Sequence, residues 1–282
     1  MATATIHAPK GSNETFIPRE HGATAMLLTP FLAAAILLRR VYWPELLALV
    51  AIGCAFAIKD PLVVLARQRF VWKQPHPETR AAKRSAWIQL LLLVICAIAL
   101  MLVRNWQPFV PLFLAAGGFT ILAVALNVRN RQRSEWFQVA SAVALSATCL
   151  MACLSALGNI PEWCFMLWIL CSLQAVTGIF VVHARLDARI AARKGHAGQA
   201  RNRRAAFICL IVLMIAAGSF AILGRFWIAA ALALAFVFYL AELRRQRSVE
   251  SLQMPLKRIG LQALTLSIAY ALLVIAGLQS FR

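Results

Sequence analysis

The sequence predicts an all-α, polytopic transmembrane bundle of about nine helices with a cytoplasmic N-terminus. Three observations carry this. Apolar residues make up 62% of the 282 positions and charged residues only 14%, whereas a soluble domain carries about 45 to 50% and about 25%. The apolar residues gather into runs near the roughly 20 residues that a helix needs to cross a bilayer. The basic residues are distributed unevenly between the segments that separate those runs, as the positive-inside rule requires of a multi-pass protein.

The runs lie at about Gly22 to Leu38, Trp43 to Ile58, Ser85 to Val103, Pro108 to Asn127, Phe137 to Leu157, Pro161 to Val182, Ala205 to Leu223, Phe226 to Leu243 and Ile259 to Leu278. Open sheet is too costly in lipid and a barrel strand would alternate, so continuous apolar runs mean helices. The first run is followed by Arg39-Arg40 without a small-residue cleavage pattern, which predicts a retained helix rather than a signal peptide. The second is short unless it continues through Pro61 to Leu65. The longest intervening stretches, Asp60 to Arg84 and Ala184 to Arg204, are expected as loops. Residues 1–17 read as a flexible polar segment and 18–282 as a single transmembrane helical domain.

Of the 29 Lys and Arg residues, 24 fall in alternate segments counted from the N-terminus and 5 in the others, while the acidic residues divide as eight and two. That places the N-terminus inside and, with nine spans, the C-terminus outside. Most of the +19 charge therefore records orientation and attraction to an anionic inner leaflet, and no nucleic-acid partner is expected. The segment after the second run holds Lys59, Arg67, Arg69, Lys73, Arg80, Lys83 and Arg84. The segment after the sixth holds Arg185, Arg189, Arg193, Lys194, Arg201, Arg203 and Arg204. Two matched clusters four helices apart fit a four-plus-four internal repeat followed by a ninth helix; long loops that simply collect cations are the alternative.

All seven cysteines lie inside predicted spans without C-x-x-C spacing, as packing residues do. Seven of the eight tryptophans, all but Trp168, sit near span ends as an interfacial belt predicts.

Ionisable and polar groups at or inside span boundaries are costly, so they are the candidate ligand-binding residues. The first set is Arg19, Glu20 and His21 at the mouth of the first helix. Helix capping accounts for Glu20 but not for His21. The second is Lys59 and Asp60 before Pro61, with Arg67 beyond; Pro61 should bend or end the span, and either a structural kink or a ligand contact would explain the charges. The third follows the sixth run: Gln174, Thr177, His183, Arg185, Asp187 and Arg189. Gln174, Thr177 and Arg185 share one helix face. His183 and Asp187, one turn apart, form either a surface i,i+4 pair or a carboxylate-oriented imidazole suited to acid-base work. Glu135 reads as partial neutralisation of Arg129, Arg131 and Arg133.

No G-x-x-x-x-G-K-[ST], H-E-x-x-H, G-x-S-x-G or G-x-G-x-x-G occurs, so no nucleotide, zinc-protease or serine-hydrolase signature is present, and no catalytic residue, cofactor or metal ligand is expected.

The stretch Pro18-Arg19-Glu20-His21-Gly22-Ala23-Thr24-Ala25-Met26-Leu27-Leu28-Thr29-Pro30-Phe31 resembles the opening signature of the YwiC-like family of bacterial integral membrane proteins. It differs at Thr24, where tryptophan is usual. The resemblance implies a multi-pass protein of the bacterial cytoplasmic membrane and no particular reaction. At the level of architecture the chain is also similar to UbiA-type intramembrane prenyltransferases, which have nine helices and an active site under the loops after helices 2 and 6. That resemblance implies paired Mg²⁺ sites built from aspartate-rich motifs. Asp60 and Glu78 in one segment and Asp187 in the other cannot supply them, so a diphosphate would be held by Arg and Lys directly.

Three functions follow as expectations. The foremost is binding or moving an anionic amphiphile, a lipid or prenyl phosphate, at a basic cytoplasmic-facing cavity. The second is a prenyltransferase-like enzyme with an altered, aspartate-poor site. The third is a membrane scaffold or assembly factor.

Overall fold

The computed structural model describes residues 21–74, 78–131, 134–194, 200–248, 252, 254 and 256–281, and these residues are helical with short connections and no strand. The helices are α1 (His21–Leu38), α2 (Trp43–Ala57), α3 (Lys59–Arg67), α4 (Thr79–Val103), α5 (Phe109–Val128), α6 (Glu135–Ser146), α7 (Thr148–Leu157), α8 (Glu162–Lys194), α9 (Ala200–Ile222), α10 (Phe226–Arg245) and α11 (Leu256–Leu278). Among the described residues eight helical stretches are long and apolar enough to cross a membrane, and Gly22–Leu38 adds a shorter apolar helix. The nine runs expected from the sequence are thus all helical.

Both long basic segments depart from the expected loops. After Ala57 the chain pauses at Ile58, resumes as α3, and adds a π-helical turn, Gln68–Trp72, before Lys73 reverses it in a left-handed conformation (φ 54°). Pro61 does not end the span, because it occupies the first turn of α3, where its missing N–H removes a donor a helix start leaves unpaired anyway. Likewise α8 runs to Lys194 and α9 begins at Ala200, so Arg185 and Arg189 are helical rather than loop residues. Charged ends of this kind extend a helix beyond its apolar core at little cost, because Arg and Lys are good helix formers and the headgroup region solvates them.

The contacts divide the described residues into two compact units, one within Leu46–Ser134 and the other formed by 21–45 with the described residues from Glu135 onward. In the first, α3 packs on α4 and α5, and α4 and α5 leave most of their apolar surface outward, where hydrocarbon rather than protein would solvate it. In the second, α1 packs on α6, α7, α8 and α11, while α8, α9, α10 and α11 pack in succession. Small side chains permit this: Ala34, Ala152, Cys153, Cys164, Ala231 and Ala235 are fully buried.

Two helices of the second unit are interrupted, and side chains bond the backbone beside each break. Between α6 and α7 the Ala147 N–H turns to Ala144 O, which releases the Val143 carbonyl; the Trp168 indole N–H donates to it at 2.9 Å. This accounts for the one tryptophan that lies away from the span ends. The Thr148 hydroxyl reaches Leu145 O (3.0 Å) and also Leu27 O on α1 (2.7 Å). The second contact sits beside Pro30, which interrupts the ladder of α1. Thr148 thus ties α1 to the α6–α7 break one residue from Met26, whose carbonyl Pro30 leaves without its helical N–H.

Candidate functional site

A polar column on α8 organises the second unit. At its midpoint Gln174 spends both amide hydrogens across the bundle, donating to Tyr239 Oη on α10 (3.0 Å) and to Ser267 Oγ on α11 (3.2 Å). Tyr239 donates in turn to Gln174 O, and Tyr270 donates to Leu170 O. Gly178 lets Tyr239 in: a Cβ there would stand 2.8 Å from the phenol oxygen. One turn further along, the Gln246 amide donates to Val181 O (3.1 Å). Arg185 then pairs with Glu242, both buried, through its guanidinium. Arg189 donates to the carbonyls of Leu252 and Met254, closing the turn beyond α10.

Gly178→Ala is therefore expected to destabilise the protein by about 1 to 3 kcal/mol, the cost of overpacking a tight contact. Tyr239→Phe in the same background should recover part of that loss, because the next ring atom lies at 3.4 Å, an ordinary contact. Thermal unfolding in detergent of both single variants and the double variant measures the coupling; purely additive losses would refute the contact.

A second constellation joins α6, α8 and α9. His183 Nε2 lies 2.8 Å from Gln138 Oε1, an oxygen that only accepts, so the imidazole presents its N–H there. Asp187 accepts from Asn202 Nδ2 (2.7 Å), and Glu135 accepts from Arg201 (2.6 Å). His183 and Asp187, one turn apart, thus turn to different partners, Gln138 and Asn202, and neither orients the other; the pair expected from their spacing is not formed. Glu135 is not a loop neutraliser but the first residue of α6, tied to α9. Asn202 and Gln138 carried no signal in the sequence beyond being polar in or next to an apolar run.

Of the six α8 candidates, Gln174, Arg185, Asp187 and Arg189 are occupied by bonds to other helices or the following turn. Thr177 bonds back to Leu173 O (2.8 Å) and is fully buried. In the first unit Lys59 stands 3.8 Å from Asp60 and above the Phe56 ring, and Arg67 donates to Asn127 O (3.1 Å), Asn127 Oδ1 (2.9 Å) and Asn130 Oδ1 (3.3 Å). Arg67 thereby caps the carbonyl end of α5, where a cation complements the helix dipole. Arg19 and Glu20 lie outside the described residues, as does the side chain of His21, whose backbone opens α1. Among the described residues no group of three His, Cys, Asp or Glu could hold a metal ion.

Other cations of the first unit behave differently. Arg69 lies in the π-helical turn and Lys73 follows it, and Arg80, Lys83 and Arg84 lie on the first turns of α4; all five are exposed, as are Phe70, Val71, Trp72 and Trp87 among them. The turn is fastened by Thr79 Oγ1, which donates to Gln68 Oε1 at 2.6 Å.

Residues 17–156 match the family model for YwiC-like protein. The match spans α1 to α7 and contains the Pro18–Phe31 signature, so the chain is YwiC-like over that stretch; the α8 column lies beyond it. No curated protein matches. No solved structure matches either.

Proposed function

We propose that this YwiC-like, multi-pass membrane protein binds an anionic amphiphile, a phospholipid or prenyl phosphate, on the basic face between α3 and α4, and that this face is cytoplasmic in a bacterial inner membrane. The observation that carries the reading is the exposure of Arg69, Lys73, Arg80, Lys83 and Arg84 among exposed Phe70, Trp72 and Trp87. Cations interleaved with aromatic rings at the end of a spanning helix suit a phosphate headgroup above and an acyl or isoprenoid chain below. A π-helical turn, a strained form frequent at functional sites, sets the spacing. The α8 arginines support this choice by contrast: Arg185 pairs with the buried Glu242 and Arg189 donates to backbone carbonyls. Positive-inside counting supports the orientation.

The test is ligand-dependent thermal stabilisation in a neutral detergent with three probes: phosphatidylglycerol, farnesyl phosphate and phosphatidylcholine. The two anionic probes should stabilise and the zwitterionic one should not. In the triple variant Arg80→Gln, Lys83→Gln, Arg84→Gln, affinity for the anionic probes should fall by roughly 100-fold, at about 1 kcal/mol for each cation near an anionic surface. Equal stabilisation by all three lipids, or an unchanged affinity in the triple variant, overturns the reading.

A further inference from the structure

Where the interrupted helix α1 meets α6, α8 and α11 there is a small cavity of about 20 Å³. Its wall carries Thr29 and Pro30 from α1, Ser146 from the end of α6, Gln174 from α8, and Ser267 and Tyr270 from α11. Ser146 and Tyr270 are 1% exposed and Gln174 9%, whereas Thr29 and Ser267 are half-buried, so the cavity is a partly open cleft between the helices. We infer that this cavity is a built site for one water molecule, which supplies the hydrogen bond that Pro30 deletes from α1 and ties that helix to α8 and α11.

The volume fits. A single water needs roughly 10 to 15 Å³ of such space together with two to four polar partners. The partners are of the right kind and number. Pro30 has no N–H to return to the Met26 carbonyl one turn earlier, and Met26 is itself part of the cavity wall. The neighbouring carbonyl, Leu27 O, already has Thr148 as a cross-helix donor. Met26 O is thus the acceptor at the proline break that a guest on the cavity side would serve. Ser267 Oγ accepts from Gln174 and keeps its own proton to give. Since Gln174 has committed both N–H groups, its side-chain oxygen remains an acceptor.

The chemistry selects water over the alternatives of similar size. The wall residues carry hydroxyls and a side-chain amide but no carboxylate, and an uncompensated cation in a low-dielectric site costs far more than a neutral guest. An apolar guest would leave the hydroxyls and the proline-freed carbonyl unpaired, at the desolvation cost of each. Water donates twice and accepts twice, which matches a wall that contains both kinds of group.

Water-edited solid-state NMR of the full chain in bilayers tests this, with the Thr29 and Ser146 signals assigned by Thr29→Val and Ser146→Ala. Polarisation should pass from water to both residues in the unsubstituted protein, and it should disappear in Ala271→Val, whose extra methyls fill the cavity from α11. If that variant does not fold, Ala25→Val fills the same space from α1 and serves in its place. Absence of transfer in the unsubstituted protein overturns the proposal, as does transfer that survives the filled cavity. Signals of Thr29 and Ser146 that move when choline is exchanged for Na⁺ would identify a cation as the guest and overturn it equally.

Discussion

Replacing Glu242 with alanine is expected to destabilise the protein by about 3 to 5 kcal/mol, the loss typical when one member of a buried ion pair is removed. Arg185 is 3% exposed and Glu242 8%, and the guanidinium faces the carboxylate between α8 and α10. Alanine leaves the guanidinium charged, since arginine does not deprotonate in proteins, and a buried charge stripped of its carboxylate partner is costly. Glu242→Gln keeps an acceptor but no charge and should fall between alanine and the parent. The paired replacement Arg185→Met, Glu242→Leu should lose much less than either single change, because two apolar side chains of similar bulk need no desolvation. Chemical or thermal unfolding in detergent resolves the series. A Glu242→Ala variant as stable as the parent would show that the pair carries no weight in the fold.

The same ion pair shows where sequence reasoning stops. Arg185 stood out in the sequence because a charge beside an apolar run is expensive, and its face was correctly aligned with Gln174 and Thr177 by helical periodicity. What satisfies it did not stand out. Glu242 is 57 residues away, in a stretch where an acid before Arg244-Arg245 looks like ordinary interfacial charge. The α8 candidates were therefore legible as positions needing partners, yet whether each partner is a ligand or another helix depends on packing that composition does not encode. Gln174 is the clearest case: a polar stripe aimed at a basic cavity turns out to bind Tyr239 and Ser267 across the bundle.

The helical runs were legible for the opposite reason, since lipid forces every apolar run of that length to pair its own backbone. Breaks inside runs were not. Nothing in Val143 to Thr148 signals the interruption between α6 and α7, because Trp168, a residue of another helix, helps make it affordable by capping Val143 O. The charged helix ends misled for a related reason. Arg-rich stretches after α2 and in α8 look like solvated loop, yet they continue as helix to Trp72 and Lys194, because Arg and Lys are good helix formers whose charged tips reach the headgroup region.

Gly277 is the position at which the smallest substitution should have the largest packing effect. On α11 it faces the start of α10, where a Cβ would lie 2.5 Å from Ile228 Cγ1, 3.1 Å from the Ile228 backbone nitrogen and 3.3 Å from Trp227 Cβ. Two of those three atoms belong to the backbone or its first side-chain carbon, so rotating a flexible tip cannot relieve the contact. Ile228 is fully buried, which also denies its side chain another rotamer without displacing neighbours. Gly277→Ala is expected to cost about 3 kcal/mol, the upper end of the range for overpacking, and Gly277→Val more. Ile228→Ala alone should cost about 2 to 5 kcal/mol as a cavity, but combined with Gly277→Ala it should cost less than the two losses added, since the new methyl enters the space the isoleucine leaves. That coupling, read from unfolding midpoints of the four proteins, separates a steric clash from a general intolerance of α11 to change. Simple additivity would mean that α10 and α11 do not approach as closely at this point as the contact requires.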